Sequence, residues 1–279
     1  MTMIWLNGSL VDEREARVSP FDHGLLVGDG VFETLRVYDG VPFAWRRHAE
    51  RLTHSARGLG LALPDLSELR DAGDAVLHAN DLRDARLRIT VTGGPSPLGS
   101  ERGNGGSTVI IAAGALKPWP LTERVVTVPW SRNEHSATAG LKTISYAENV
   151  RALAVAHEAG AGEAIFCNTR GELCEATGSN LFVVDAGGVH TPPGDSGCLL
   201  GVTRALVLEL CPVLGLAAEE MALAPDALHR AGEAFLTSST REVQGIAQVD
   251  EHTFTAAPGP ITRQLAAAFT DLVARNTDP

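Results

Sequence analysis

Lysine is nearly missing from this chain of 279 residues. Of its 23 Lys and Arg residues only Lys117 and Lys142 are lysine, and the rest are arginine. A guanidinium stays protonated and cannot attack a carbonyl, whereas a lysine amine can be made nucleophilic. Either lysine could therefore survive as a required amine or as an accident of the surface, and composition leaves the two readings even. Basic charge is short as well: a formal net charge of -11 leaves no electrostatic footprint for a phosphate backbone and excludes nucleic acid as a partner. No apolar run reaches the roughly 18 to 20 residues that span a bilayer, so no membrane partner is expected. Residues 1–15 lack the basic-then-apolar layout of a signal peptide, and the expected compartment is the cytoplasm. The four cysteines (Cys167, Cys174, Cys198, Cys211) form no Cys-x-x-Cys pair and sit among apolar neighbours. That favours buried free thiols over a disulfide or a metal site, and no metal is expected.

With 44% apolar and 20% charged residues, the chain has the composition of a globular protein of one large or two medium domains. Residues 3–19 read as a hairpin turned at Asn7-Gly8, and residues 30–47 as a second strand pair turned at Asp39-Gly40. Leu52, Ala56 and Leu59 recur at helical spacing among arginines, and residues 66–80 form a second amphipathic helix. Residues 85–94 and 107–116 are strands joined by a Gly/Pro/Ser-rich loop. An α+β N-terminal domain over 1–115 follows, then a proline-punctuated linker at 116–122 and a C-terminal domain over 123–279. In that second part, helices are expected at 147–160, 201–215 and 259–276. Strands are expected at 124–130, 163–169 and 180–187, and residues 226–250 are expected to give a helix, a strand and a hydroxyl-rich turn.

Lys142 lies where a small-residue loop, His-Ser-Ala-Thr-Ala-Gly-Leu, meets a helix, four residues before Tyr146, one of only two tyrosines. A phenol near an imine-forming lysine can hydrogen-bond a cofactor's phenolate oxygen and help set the imine's protonation state. A tyrosine packed in a core with its hydroxyl satisfied is the competing reading. Glu175 adjoins an apolar run that should be buried, so its carboxylate needs a partner, either a pyridinium N–H or an arginine. Three segments could bind a phosphate. Arg51 is a helix-borne guanidinium. Gly201, Val202 and Thr203 open a helix whose N–H groups and dipole favour an anion, unless Thr203 is an ordinary cap. Residues 237–242, Thr-Ser-Ser-Thr-Arg-Glu, cluster hydroxyls, with Ser239 and Thr240 serviceable also as plain turn residues.

Five segments, residues 28–52, 141–150, 171–182, 201–210 and 237–243, resemble in order and spacing the class-IV (fold-type IV) pyridoxal-phosphate enzymes. These are the D-amino-acid and branched-chain aminotransferases and aminodeoxychorismate lyase. The resemblance spans nearly the whole chain. It implies a small N-terminal α/β domain and a larger C-terminal domain with a barrel-like β core. It further implies pyridoxal 5′-phosphate carried by Lys142 as a Schiff base, Glu175 facing the pyridine nitrogen and Tyr146 facing the ring oxygen. Arg51, Val202, Thr203, Ser239 and Thr240 would hold the phosphate. A homodimer, with the site between the two domains and closed by a partner loop, is implied as well.

Phe32, Thr34 and Arg36 alternate onto one strand face and, by the same resemblance, point at the substrate. Thr-x-Arg is more similar to the lyases. The arginine that D-amino-acid transaminases carry after the equivalent of residues 88–92 is replaced here by Gly93-Gly94-Pro95, so Arg36 or Arg88 would have to meet the substrate carboxylate. Arg88 could equally be a structural ion pair. The reading reached is a transaminase for a small amino acid, the D series included, and an α-keto acid such as pyruvate or 2-oxoglutarate. The alternatives are a 4-amino-4-deoxychorismate lyase and a non-catalytic pyridoxal-phosphate-binding protein.

Overall fold

Asn7 and Gly8, both at positive φ (47° and 96°), turn strand β1 (Met3–Leu6) into β2 (Ser9–Asp12), the geometry that suits the twist of a two-residue hairpin. A short helix α1 (His23–Val27), which no periodicity announces, precedes β3 (Gly30–Tyr38) and β4 (Val41–Pro42). Helices α2 (Trp45–Leu59) and α3 (Leu66–Ala79) follow, then β5 (Ala85–Thr92) and β6 (Thr108–Ala115). The computed structural model describes all 279 residues and orders these strands β2-β1-β6-β5-β3-β4, every pairing antiparallel. Period-two alternation sends Val31, Leu35, Val37, Ala85, Leu87, Ile89 and Val91 to one face. There they bury against Leu52, Ala56, Leu69, Ala72 and Val76 of α2 and α3, each burial contributing about 1.5–3 kcal/mol for a large aliphatic chain. The residues between them, Phe32, Thr34, Arg36, Arg86, Arg88 and Thr90, share the opposite face through the pairs Phe32–Thr90, Thr34–Arg88 and Arg36–Arg86.

The second unit begins with β7 (Thr122–Arg132) and α4 (Ala147–Glu158). Strands β8 (Glu163–Asn168), β9 (Leu173–Ala176), β10 (Asn180–Asp185) and β11 (Gly188–Thr191) follow. Helix α5 (Val202–Val213), β12 (Ala218–Glu220) and a short α6 (Ala227–Arg230) lead to β13 (Glu233–Ser238) and β14 (Glu242–Val249). The unit ends with β15 (His252–Thr253) and α7 (Pro260–Arg275). The sheet runs β12-β11-β10-β13-β14-β7-β8-β9, with β15 on β14. Strand β9 passes straight into β10, Ala176 N–H bonding the Ser179 carbonyl, so the sheet's last strand returns beside its third and the sheet curls into a half-barrel. Its strands bury both faces: Leu181 and Val183 point into one core with Leu236 and Ile246, while Phe182 and Val184 point into another beneath α5 and α7. Phe182 and Phe235 stack there at 4.7 Å.

The division of the chain departs from the expected 1–115 and 123–279. The first unit comprises Met1–Lys117 and also Leu141–Tyr146 and Thr277–Pro279, and the second comprises Pro118–Gly140 and Ala147–Asn276. The lysine segment and the C-terminal tail fold with the first unit because their backbones bond there. Thr277 carbonyl accepts from Ala44 N–H at 2.7 Å, and residues 142–144 pair with β3.

All four cysteines are unpaired; Cys174, Cys198 and Cys211 are buried, as expected, whereas Cys167 is half-buried, and burial pushes the Cys198 and Cys211 thiols up to about 11. No helix is long and apolar enough to cross a membrane.

Helix α7 opens on Gly259, which has no side chain to cap it. The buried carboxylate of Glu233 does so from β13, accepting from Ile261 N–H (3.0 Å), Thr262 N–H (2.9 Å) and the Thr262 hydroxyl (2.8 Å). An anion at a helix N-terminus also meets the favourable end of the dipole. Glu233→Ala leaves these donors unsatisfied and is expected to lower unfolding stability by roughly 1–3 kcal/mol, measured as a shift in urea midpoint at unchanged m-value.

Candidate active site

Strand β4 covers only Val37 and Tyr38, so the Gly30–Glu33 half of β3 would expose a row of unpaired backbone groups. The lysine segment fills that edge. Phe32 N–H donates to the Lys142 carbonyl (3.1 Å), Ile144 N–H to the Gly30 carbonyl (2.9 Å), and Val31 and Thr143 form an antiparallel bridge. Lys142 N–H is taken by the Ser55 hydroxyl of α2 at 3.0 Å. Gly58 of α2 makes the approach feasible, since a Cβ there would fall 2.6 Å from the Leu141 side chain. A helix-interior glycine costs about 1 kcal/mol relative to alanine, and here it makes room for the residue that precedes the lysine. The bridge fixes the pleat: Thr143 is buried with Val31, while Lys142 emerges beside Phe32 on the opposite face.

The two lysines are thereby told apart. Lys117 is exposed, whereas Lys142 is half-buried with Nζ 4.4 Å from the centre of the Phe32 ring and 5.9 Å from that of Tyr146. The two rings meet edge to face at 5.1 Å. Arg88 places its guanidinium over the same Phe32 ring at 3.7 Å. Its one hydrogen bond is to the Thr90 hydroxyl at 3.2 Å, and no carboxylate pairs with it, so the structural ion pair weighed for Arg88 is absent. Arg36 is differently employed: Asp84 binds it, the carbonyls of Val37 and Ala85 accept from it (3.1 and 3.2 Å), and it lies over the Tyr38 ring. The structure thus brings Phe32, Arg88 and Tyr146 to Lys142 and commits Arg36 to a structural network at the other end of β3. Thr34 stays on the shared face, opposite Arg88.

Sequence reading gave no place to Glu33, a carboxylate on the core face of β3. It accepts from Arg51 through Nε and one terminal nitrogen, both at 2.8 Å, and from His48 Nδ1 at 2.7 Å. Burial pushes the Glu33 carboxyl up, but the charges and hydrogen bonds of Arg51 and His48 more than offset this and hold it well below the usual carboxylate range. Burial dominates at His48 and lowers its pKa, so the imidazole is neutral and Nδ1 carries the proton it gives to Glu33. Spacing of i and i+3 put His48 and Arg51 on one turn of α2, but only the strand–helix packing reveals what they hold.

In the second unit Glu175 lies on the short strand β9, just ahead of the buried strand β10. It takes Leu199 N–H at 2.9 Å and faces Arg132 Nε at 3.4 Å, so an arginine partner, one of the two readings, is present. Arg132 is in turn steadied by Asn149 and Glu148 of α4 and by the Phe166 ring at 4.4 Å. Val202 and Thr203 form the first turn of α5, whose N-cap Gly201 supplies no side-chain bond. Thr203 therefore lies inside the helix rather than capping it, and the first-turn N–H groups have no side-chain acceptor. Ser239 and Thr240 stand half-buried in the turn between β13 and β14. Arg241 pins this turn through Glu163 (3.1 Å), the Gly162 carbonyl (3.0 Å) and the Trp119 ring (4.0 Å). No group of His, Cys, Asp and Glu could hold a metal ion.

The first unit thus carries a half-buried lysine, and the second carries a carboxylate beside an arginine and a helix whose first-turn N–H groups have no side-chain acceptor. The Amino-transferase class IV family model matches residues 30–249, and the chain belongs to the class IV aminotransferases. It is 36% identical to a putative branched-chain-amino-acid aminotransferase of Methanocaldococcus jannaschii, over 96% of each chain. It is 32% identical to a D-alanine aminotransferase of Bacillus licheniformis, over 98% of each. It is also 32% identical to an aminodeoxychorismate lyase of Bacillus subtilis, over 96% of this chain and 93% of that one. The branched-chain amino acid aminotransferase of T.th., solved with N-(5′-phosphopyridoxyl)-L-glutamate, superposes with TM-score 0.91 at 29% identity, covering 98% of this chain and 95% of that one. Enzymes of this family depend on pyridoxal phosphate, and the residues present fit that group. They include an amine to hold its carbonyl carbon, a carboxylate with a compensated charge for its ring nitrogen, and N–H and guanidinium donors for its phosphate.

Proposed function

We propose that the chain is a pyridoxal-phosphate-dependent transaminase that exchanges an amino group between a small amino acid and an α-keto acid such as pyruvate or 2-oxoglutarate. The carrying observation is the Phe32 ring with an amine on one approach, Lys142 Nζ at 4.4 Å, and an ion-pair-free guanidinium, Arg88, at 3.7 Å. An amine and a carboxylate-binding cation on one aromatic platform are what an α-amino acid requires. When bound, pyridoxal phosphate supplies the electron sink that makes the substrate α-proton removable. Lys142 would hold the cofactor, and once the substrate amine has displaced it the freed Nζ would accept that proton and return it; the faces of Phe32 and Tyr146 would stabilise the transient ammonium by about 0.5–2 kcal/mol. Glu175 partners the ring nitrogen, its charge kept in place by Leu199 N–H and Arg132. Arg51, Val202, Thr203, Ser239 and Thr240 take the phosphate, and Tyr146 the ring oxygen.

Arg88 rather than Arg36 meets the substrate carboxylate in this reading, because Asp84 already occupies Arg36. The loop after β5 has no room for an arginine in its place: Gly94 stands at φ 69°, and a Cβ on it would fall 1.8 Å from the Gly106 carbonyl. That absence, with Thr34 facing Arg88 and the similarity to a lyase, supports a second reading. In it the same apparatus releases pyruvate from 4-amino-4-deoxychorismate and leaves 4-aminobenzoate. A homodimer is part of the proposal. Phe21, Leu25, Leu26 and Val27 around α1, with Leu98, expose apolar side chains, Leu25 by 70% and Leu98 by 75%, and a second copy is the occupant that covers them. The four reduced cysteines fit a cytoplasmic location.

Titrating the yellow holoenzyme with D-alanine, D-glutamate, L-leucine and (R)-phenylethylamine should bleach its visible absorbance with at least one α-amino acid. No bleaching, with pyruvate released from aminodeoxychorismate, establishes the lyase. No response to any of them leaves a binding protein. Lys142→Ala should abolish the visible band, and its survival would overturn the assignment. Arg88→Met should lower kcat/KM for the amino acid by roughly 10- to 150-fold, the loss of a charged hydrogen bond of about 1.5–3 kcal/mol, whereas Arg36→Met should chiefly lower stability. Light scattering should give a particle of twice the 29.4 kDa chain mass, and Leu25→Asp should shift it toward the single chain.

A further inference from the structure

A buried carboxylate beside a guanidinium that is meant to bind an anion is, on charge alone, a liability, since it cancels part of the attraction. Glu33 stands in that position. It is fully buried, and it spends both oxygens on Arg51 and one of them also on His48. A side-on, two-point contact through Nε and a terminal nitrogen fixes both the plane and the rotation of a guanidinium. His48 fixes the carboxylate in turn: its Nδ1–H reaches Oε2, the same oxygen that receives the Arg51 terminal nitrogen. His48 and Arg51 are one helical turn apart on α2, and Ser55, one turn further, holds the Lys142 backbone. One face of one helix therefore governs both the arginine and the lysine.

We infer that Glu33 and His48 are positioning residues that aim Arg51 at the phosphate of the cofactor, trading some electrostatic attraction for a fixed guanidinium orientation. This rests on the reading of Arg51 as a phosphate ligand. The sign of one substitution separates positioning from simple charge. Glu33→Gln keeps the shape and removes the charge. An amide has one acceptor oxygen where the carboxylate has two, so either orientation of the Gln side chain turns an NH2 group toward an Arg51 donor and loosens the guanidinium. Positioning then predicts weaker phosphate binding, whereas a bare counter-ion role predicts tighter binding, because the negative charge is gone.

The measurement is the affinity of the apoprotein for pyridoxal phosphate and for pyridoxal, which lacks the phosphate, followed by absorbance. Glu33→Gln should weaken pyridoxal phosphate at least tenfold and change pyridoxal less than twofold. His48→Asn, which retains an N–H donor, should stay near wild type, and His48→Leu should lose discrimination as Glu33→Gln does. A purely structural role would weaken both ligands together. Arg51→Leu supplies the separate check. If it leaves the preference for the phosphorylated ligand intact, the phosphate reading itself fails. If it removes that preference while Glu33→Gln retains or strengthens it, the inference fails and the reading stands. Should Glu33→Gln not fold, the pair His48→Asn and His48→Leu decides: equal discrimination in both overturns the proposal.

Discussion

An open strand edge has to be satisfied, and the half of β3 that β4 leaves uncovered is closed by residues 142–144. That backbone pairing delivers Lys142. Because the bridge is antiparallel and falls on Val31 and Thr143, the pleat sends Thr143 into the core and Lys142 out beside Phe32, with Arg88 leaning over the same ring from the neighbouring strand. A slip of one residue would reverse every one of these directions. The Ser55 hydroxyl and the notch at Gly58 guard against that slip from the helix side.

A single sheet thus carries two chemistries on its two faces. The even-numbered face of β3 presents an aromatic platform, an amine and a cation. The odd-numbered face is a conventional aliphatic core except at Glu33, where a charge is buried and compensated by α2. Buried ion pairs are poor sources of net stability, since desolvation consumes most of the Coulombic gain. Placing one between the strand that bears the platform and the helix that braces the lysine makes better sense as orientation than as stabilisation. The second unit is organised by a comparable device. Arg132 and Leu199 N–H steady the Glu175 carboxylate, and Arg241 pins the hydroxyl-rich turn that holds Ser239 and Thr240.

The regular elements were legible because each rested on local signals. Asn7-Gly8 and Asp39-Gly40 turns, the 3.6-residue spacing of Leu52, Ala56 and Leu59, and the apolar strands β8 and β10 all express preferences within a few residues of one another. Less legible were α1, too short for a period to register, and β9, β11 and β12, whose three or four residues draw their pairing from distant strands. A sequence read in one direction could not assign Leu141–Tyr146 to the unit the chain had already left.

Among the candidate site residues, Lys142 stood out by scarcity and Glu175 by the cost of burying an unpaired carboxylate, both properties of the residue itself. The scarcity of lysine, the motif order and the family membership were thus determined by sequence alone. The tertiary structure decided which arginine is left without a carboxylate: Asp84 lies beside Arg36 and none lies beside Arg88, a fact of side-chain proximity that no spacing encodes. It also decided that Glu33 and His48 stand behind Arg51, because a strand residue and a helix residue 15 positions apart in sequence meet only when the core beneath them packs.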